Sequence, residues 1–96
     1  MIKIDDIWQV NEHVRFRRMF DEGVVIHQDQ DEALVLNDSG VAFLELCDGQ
    51  RNTGEIISGL TESFTVERET LVDDLEPFIA EMIESGIIVR VPAEPK

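Results

Sequence analysis

Glu32-Ala33-Leu34-Val35-Leu36-Asn37-Asp38-Ser39-Gly40-Val41-Ala42-Phe43-Leu44-Glu45-Leu46-Cys47-Asp48-Gly49 decides the fold, because the period of the chain changes inside it. Residues 32 to 36 read as a strand. Asn37, Asp38 and Ser39 are N-capping residue types, whose side chains satisfy the free backbone N–H groups at a helix start. Phe43, Leu46 and Cys47 then follow at helical spacing, and Gly49 suits the left-handed position just past a helix end. The chain therefore passes from strand to helix near Leu36.

Working back toward the N-terminus, Val14, Phe16 and Phe20 share one side at a period of two, which predicts a first strand. Asp21-Glu22-Gly23 reads as a turn, with Gly23 free to take positive φ. The β-branched run Val24-Val25-Ile26-His27 is a second strand, and Gln28-Asp29-Gln30-Asp31 is a polar connection to the strand at residues 32–36. Residues 1–12 show no clean period, and Ile4, Ile7, Trp8 and Val10 form an arm able to pack on the rest. Toward the C-terminus, Thr53 is placed to cap a second helix, with Glu55 near its positive end and Ile56, Ile57, Leu60 and Phe64 as its apolar stripe. A third helix carries Leu71, Leu75, Phe78, Ile79, Met82 and Ile83, starts at a Thr65 cap and ends at Gly86. Pro77 interrupts its interior. Ile87 to Val91 resumes a strand-like run before the tail with Pro92 and Pro95. The expected fold is α+β: a three-stranded antiparallel meander followed by three helices, in one domain with its core over about residues 14–91.

Composition narrows the function. At 43% hydrophobic and 30% charged, the 96-residue chain has a globular composition and the length of a single domain. No apolar run is long enough for a membrane span, and Met1 to Asp6 lacks the basic start of a signal peptide. The lone Cys47 rules out an internal disulfide and fits a reducing compartment, so the expected location is the cytoplasm. The net charge of −13 repels phosphate backbones and anionic lipid, so neither nucleic acid nor membrane is an expected partner.

Leu36-Asn37-Asp38-Ser39-Gly40, then Cys47-Asp48-Gly49-Gln50-Arg51 and Gly54-Glu55-Ile56, then Asp74-Leu75-Glu76-Pro77-Phe78-Ile79 and Gly86-Ile87-Ile88, form an ordered set over roughly residues 14–89. That set resembles the PqqD-like proteins, or RiPP recognition elements. The resemblance implies a winged-helix-like fold and a role as a peptide-binding adaptor. In that role the leader of a ribosomally made precursor peptide docks as an added strand on the strand at residues 32–36. The third helix forms the other wall. An exposed strand edge offers unpaired N–H and C=O groups for such a peptide. The residues implied are Glu32, Ala33, Leu34, Val35 and Leu36 for backbone pairing, with Leu71, Val72, Leu75 and Ile79 as pocket walls. The further partner implied is a peptide-modifying enzyme, with the radical-SAM class in view. The connection at residues 27–32 lacks the Pro-Glu that members serving PQQ synthesis often carry, so PQQ or another RiPP remains open as the product.

Other readings are weaker. Arg15, Arg17 and Arg18 could meet an acidic leader or an acidic patch on the enzyme, although charges on a strand also serve solubility and edge protection. Eight carboxylates and one base between Glu62 and Glu84 oppose the major-groove docking of a DNA-binding winged helix, the regulator alternative. Asp38-Ser39 could present Ser39 as the attachment site of an acyl carrier protein, but Gly40 follows it and capping explains the trio. No nucleophile elbow, phosphate loop or metal-spaced pair involving His13, His27 and Cys47 is present, so no catalytic residue, metal or cofactor is expected. The open strand edge leaves monomer or homodimer undecided.

Overall fold

A computed structural model describes residues 4–30 and 32–91. In chain order its elements are β1 (Ile7–Val10), β2 (Val14–Met19), β3 (Glu22–His27), β4 (Glu32–Asn37), α1 (Asp38–Glu45), β5 (Asp48–Asn52), α2 (Thr53–Ser63), α3 (Arg68–Glu84) and β6 (Ile88–Val91). They form two three-stranded antiparallel sheets, of order β2-β3-β4 and β5-β1-β6.

The first sheet is the expected meander, with its first turn displaced. Met19 pairs with Glu22, so the turn is Phe20-Asp21, and Phe20 takes φ 61 with 97% of its surface exposed. Phe20 therefore leaves the face it was expected to share with Val14 and Phe16. Gly23 lies inside β3 opposite Arg18 and is glycine for another reason. A Cβ there would sit 2.5 Å from Val41 Cγ2 of α1, closer than any methyl tolerates. The absent side chain lets α1 lie directly on the strand.

Helix α1 starts where expected. Asn37 is the cap, its Oδ1 accepting from Gly40 N at 2.9 Å, and Gly40 through Leu44 are all buried. Arg18 of β2 holds both ends of α1, through Asp38 at 2.7 Å and Glu45 at 3.0 Å. These partners, Glu45 first, raise the Arg18 pKa further. The Glu45 contact also offsets a carboxylate set at the unfavourable, negative end of a helix.

The second sheet was not expected. Its central strand, β1, is the supposed arm: Trp8 is buried, and its Nε1 donates to Thr53 Oγ1 at 2.8 Å. Thr53 in turn donates to the Asp6 carbonyl at 3.1 Å, so its hydroxyl is committed to the core. Thr53 is thus not the α2 cap. That role falls to Asn52, which accepts from Glu55 N while Glu55 reaches back to the Asn52 N–H, a capping box. Strand β5 is built from Asp48-Gly49-Gln50-Arg51-Asn52. Asp48 Oδ1 accepts from Gln50 N and Arg51 N, and Gly49 takes φ 81 where the pairing with β1 shifts register. Gly49 therefore serves an irregular strand, not the end of α1, which Leu46 caps.

Helix α3 begins at Arg68 with Glu67 as its uncapped start, later than the expected Thr65, and runs through Pro77. Gly86 ends it at φ 75. Gly86 N donates to Ile83 O and Ile87 N to Met82 O, the paired bonds of a Schellman motif. The chain then enters β6 beside β1. The core lies between the meander, the helices and β1, and it includes Phe43, Ile56, Leu60, Leu75 and Met82.

Candidate functional site

In the order β2-β3-β4, strand β4 pairs on one side only. The phase of the sheet fixes which of its backbone groups are free. Gln28 N donates to His13 O at 2.9 Å, and the two-residue turn closes on the pair Met19–Glu22. Antiparallel pairs alternate between bonded and non-bonded types. Glu22, Val24 and Ile26 therefore spend their backbone groups on β2, and Gly23, Val25 and His27 spend theirs on β4. Their β4 partners are Leu36, Leu34 and Glu32. Ala33 and Val35 are left with N–H and C=O directed to the open edge. Of the five β4 residues expected to pair with a peptide, these two can do so. The side chain of Glu32 lies outside the described residues.

The side chains of Leu34 and Leu36 turn inward and are half-buried against the core. Gly40 lies between Leu36 and Phe78: a Cβ on it would be 3.3 Å from Leu36 Cβ and 3.4 Å from Phe78 Cε1. Phe78 of α3 is fixed from below by an edge-to-face contact with Phe43, centroids 5.6 Å apart. Farther along, Gln30 Nε2 donates to Ser85 O at 3.1 Å over a narrow cleft lined by Val25, His27, Leu34 and Ile87. Helix α3 thus runs alongside β4 in the opposite direction, with Phe78 near Leu36 and Ser85 near Leu34.

The residues expected to form the helical wall are placed as follows. Leu71, Leu75 and Ile79 are only 4–5% exposed and belong to the core. Val72 lies one turn beyond Arg68, whose Nη1 reaches Ser58 Oγ of α2, so Val72 is on the flank facing α2. The flank facing β4 is Phe78 with Asp74, Glu81 and Ser85, at i−4, i+3 and i+7. Phe78 stood in the apolar stripe of the sequence, but nothing there said which flank it faced. Asp74 and Glu81 are exposed, which makes this wall acidic around one aromatic ring.

The three arginines separate. Arg18 points inward to α1 and is occupied, whereas Arg15 and Arg17 lie on the opposite, outer face of the sheet. Ser39 Oγ donates to Asn37 Oδ1 at 3.2 Å, within the α1 cap. Cys47 is a free, buried thiol. Among the described residues no group of three His, Cys, Asp or Glu side chains could hold a metal ion, and no helix is long and apolar enough to cross a membrane.

The family model described as coenzyme PQQ synthesis protein D (PqqD) matches residues 22–88, from the start of β3 to the first residue of β6, and so spans β4, Gly40 and all of α3. The chain belongs to the PqqD family. A PqqA binding protein of Gluconobacter oxydans (strain 621H) is 32% identical over 65 residues, which is 68% of each chain. A PqqA binding protein of Methylococcus capsulatus (strain Bath) is 40% identical over 52 residues, 54% of this chain and 50% of that one. Among solved structures, TbiB1 in complex with the TbiA(beta) leader peptide has the same fold at a TM-score of 0.75. It is 19% identical, over 88% of this chain and 99% of that one. The Asp48-Gly49-Gln50-Arg51 motif that marks the resemblance is structural in this PqqD-family chain: it shapes β5 and the entry to α2, away from the β4 edge.

Proposed function

We propose that the chain is a peptide-binding adaptor. It captures the leader of a ribosomally synthesised precursor peptide and presents the attached core to a modifying enzyme. The observation that carries this reading is the phase of β4, which leaves the N–H and C=O of Ala33 and Val35 open, with Leu36 and Phe78 meeting over Gly40 beside that edge. A peptide laid along that edge would complete a four-stranded sheet. Its backbone would supply affinity, and the groove would select one inward-pointing apolar side chain. Asp74 and Glu81 favour a leader with a basic residue next to that anchor.

The adaptor does no chemistry itself. Tethering raises the effective concentration of the core peptide at the enzyme's active site, to the millimolar range for a short flexible link. The enzyme we have in view is of the radical-SAM class, and the setting is the cytoplasm, which suits an unpaired thiol. The names of the relatives favour PqqA as the precursor. The polar connection Gln28-Asp29-Gln30-Asp31, without Pro-Glu, favours another RiPP. Titration of ¹⁵N-labelled protein with synthetic leader should shift the amides of residues 33–36 and of the Asp74–Ser85 flank. Shifts confined to β5, α2 and β6 would reject the groove.

A further inference from the structure

The meander has a second face. Helix α1 covers the inner one, while among the described residues no helix or strand packs on the outer one. Its rows, read across the three strands, are Arg17–Val24–Val35 and Arg15–Ile26–Ala33, with Met19–Glu22–Asn37 at the hairpin end. Val35 is 67% exposed, Met19 52% and Ile26 47%. Exposed large apolar residues placed side by side in one sheet are uncommon on a surface that meets only water.

Charge also marks this face: it carries two of the three arginines that have no carboxylate partner among the described residues, the third being Arg68 of α3, which donates to Ser58 Oγ. The chain has 21 acidic residues to 8 basic ones. Arg18 is paired with Asp38 and Glu45, Arg51 with Asp48, and Arg90 with Asp6. Among the described residues Arg15 and Arg17 have no carboxylate partner, and Arg15 Nη1 donates only to the carbonyls of Glu12 and Val14. In so acidic a chain, two arginines left without carboxylates beside an apolar strip are complementary to a partner surface that brings carboxylates of its own.

The leader on the β4 edge lies in the plane of the sheet and leaves this face open. Its alternate side chains, however, would project outward next to Ala33 and Val35. Three strands of six residues cover about 14 Å by 20 Å, or roughly 300 Å², against the roughly 800 Å² per partner of a stable interface. The bare face therefore suits a transient contact, and a fourth strand enlarges it.

We propose that the outer face of β2-β3-β4 is the docking surface for the peptide-modifying enzyme, through an apolar patch bordered by carboxylates, and that a bound leader strand completes it. This rests on the adaptor reading given above. A second copy of the chain fits poorly, because two-fold pairing of this face would oppose arginines to arginines with Glu22 the one carboxylate in its rows.

The test uses the full chain, the leader as a synthetic peptide, and the modifying enzyme encoded beside the precursor. Leader affinity is read by fluorescence anisotropy, and enzyme affinity by biolayer interferometry with and without leader. The R15E/R17E variant should keep leader affinity within twofold and weaken enzyme binding at least tenfold, with R15K/R17K close to the starting protein. Leader should strengthen enzyme binding to the unaltered chain, and the circular dichroism of each variant should match it. Enzyme binding within twofold for R15E/R17E overturns the proposal. So does a self-associating chain that sediments as a monomer once both arginines are reversed, which would assign the face to a second copy. If the leader fails to bind at all, the adaptor reading falls, while the enzyme measurement without leader still decides the docking face.

Discussion

Proline substitution along β4 separates the groups that hold the fold from the edge proposed to hold a peptide. In Val35→Pro, the lost N–H is the one directed to the open edge, so the β3–β4 ladder keeps its bonds. Proline is tolerated at such edge positions. Val35 is also 67% exposed, so little packing is lost, and the expected stability cost is about 1 kcal/mol or less. For a docked peptide the change is larger. One backbone hydrogen bond disappears, worth about 0.5–1.5 kcal/mol, and a peptide carbonyl is left unpaired at a cost of about 1–3 kcal/mol. Together these make about 1.5–4.5 kcal/mol, or roughly 10- to 1,600-fold in Kd. Leu34→Pro inverts the pattern, because its N–H serves Val25 and its side chain is half-buried. The expected loss is about 3 kcal/mol or more of stability. Urea unfolding measures the first quantity and leader anisotropy the second. A V35P protein that binds leader within twofold of the unaltered chain would refute strand addition at this edge.

Gly23→Ala sets a methyl 2.5 Å from Val41 Cγ2, so a loss of about 1–3 kcal/mol in urea unfolding is expected, with non-additive recovery in G23A/V41A. Thr53→Val leaves the buried Trp8 Nε1–H without its acceptor, for a cost of about 1–3 kcal/mol that Trp8 fluorescence will follow on unfolding. Burial, with Asp48 adding to it, pushes the Cys47 thiol up to about 12. It should therefore resist a thiol reagent at pH 8 until urea unfolds the chain. Because the folded state holds that proton more tightly than the unfolded one, stability should fall as pH rises from about 9 toward about 12. D74N/E81Q should weaken a leader with a basic residue about two- to fivefold and flatten its salt dependence, with the melting temperature little changed.

The meander and the three helices were legible because each buries one face, and burial writes a period into the sequence. The second sheet was not. Strand β1 is four residues long and central, and β5 is Asp48-Gly49-Gln50-Arg51-Asn52, polar throughout with a glycine at φ 81. What holds β5 is pairing to β1 and the Asp48 side chain, and neither leaves a pattern of alternation. The first turn was misplaced because Phe20 takes a backbone conformation that usually calls for glycine, while Gly23 two places on answers a contact with α1 far along the chain. The same limit applied to the site. A helical stripe shows which residues of α3 are apolar, but only the neighbours show that Phe78 faces Gly40 while Val72 follows Arg68 toward α2.

Strand β4 divides its work by parity. The backbones of Glu32, Leu34 and Leu36 hold it to β3, and those of Ala33 and Val35 are free. The side chains of Leu34 and Leu36 pack against the core, while Ala33 and Val35 look outward. Strand addition would therefore ask nothing of the main-chain groups that hold β4 to β3, and the fold can be stable before a peptide arrives. It also fixes what a leader must offer. Backbone pairing accepts almost any extended sequence, so discrimination falls to every second side chain. In the proposed mode those pointing inward would meet Leu36, Phe78 and the carboxylates of Asp74 and Glu81, and those pointing outward would join Val35 and Ala33. On the proposed reading, a leader that satisfies the first set would be held, and the second set would be what an enzyme reads on the opposite face.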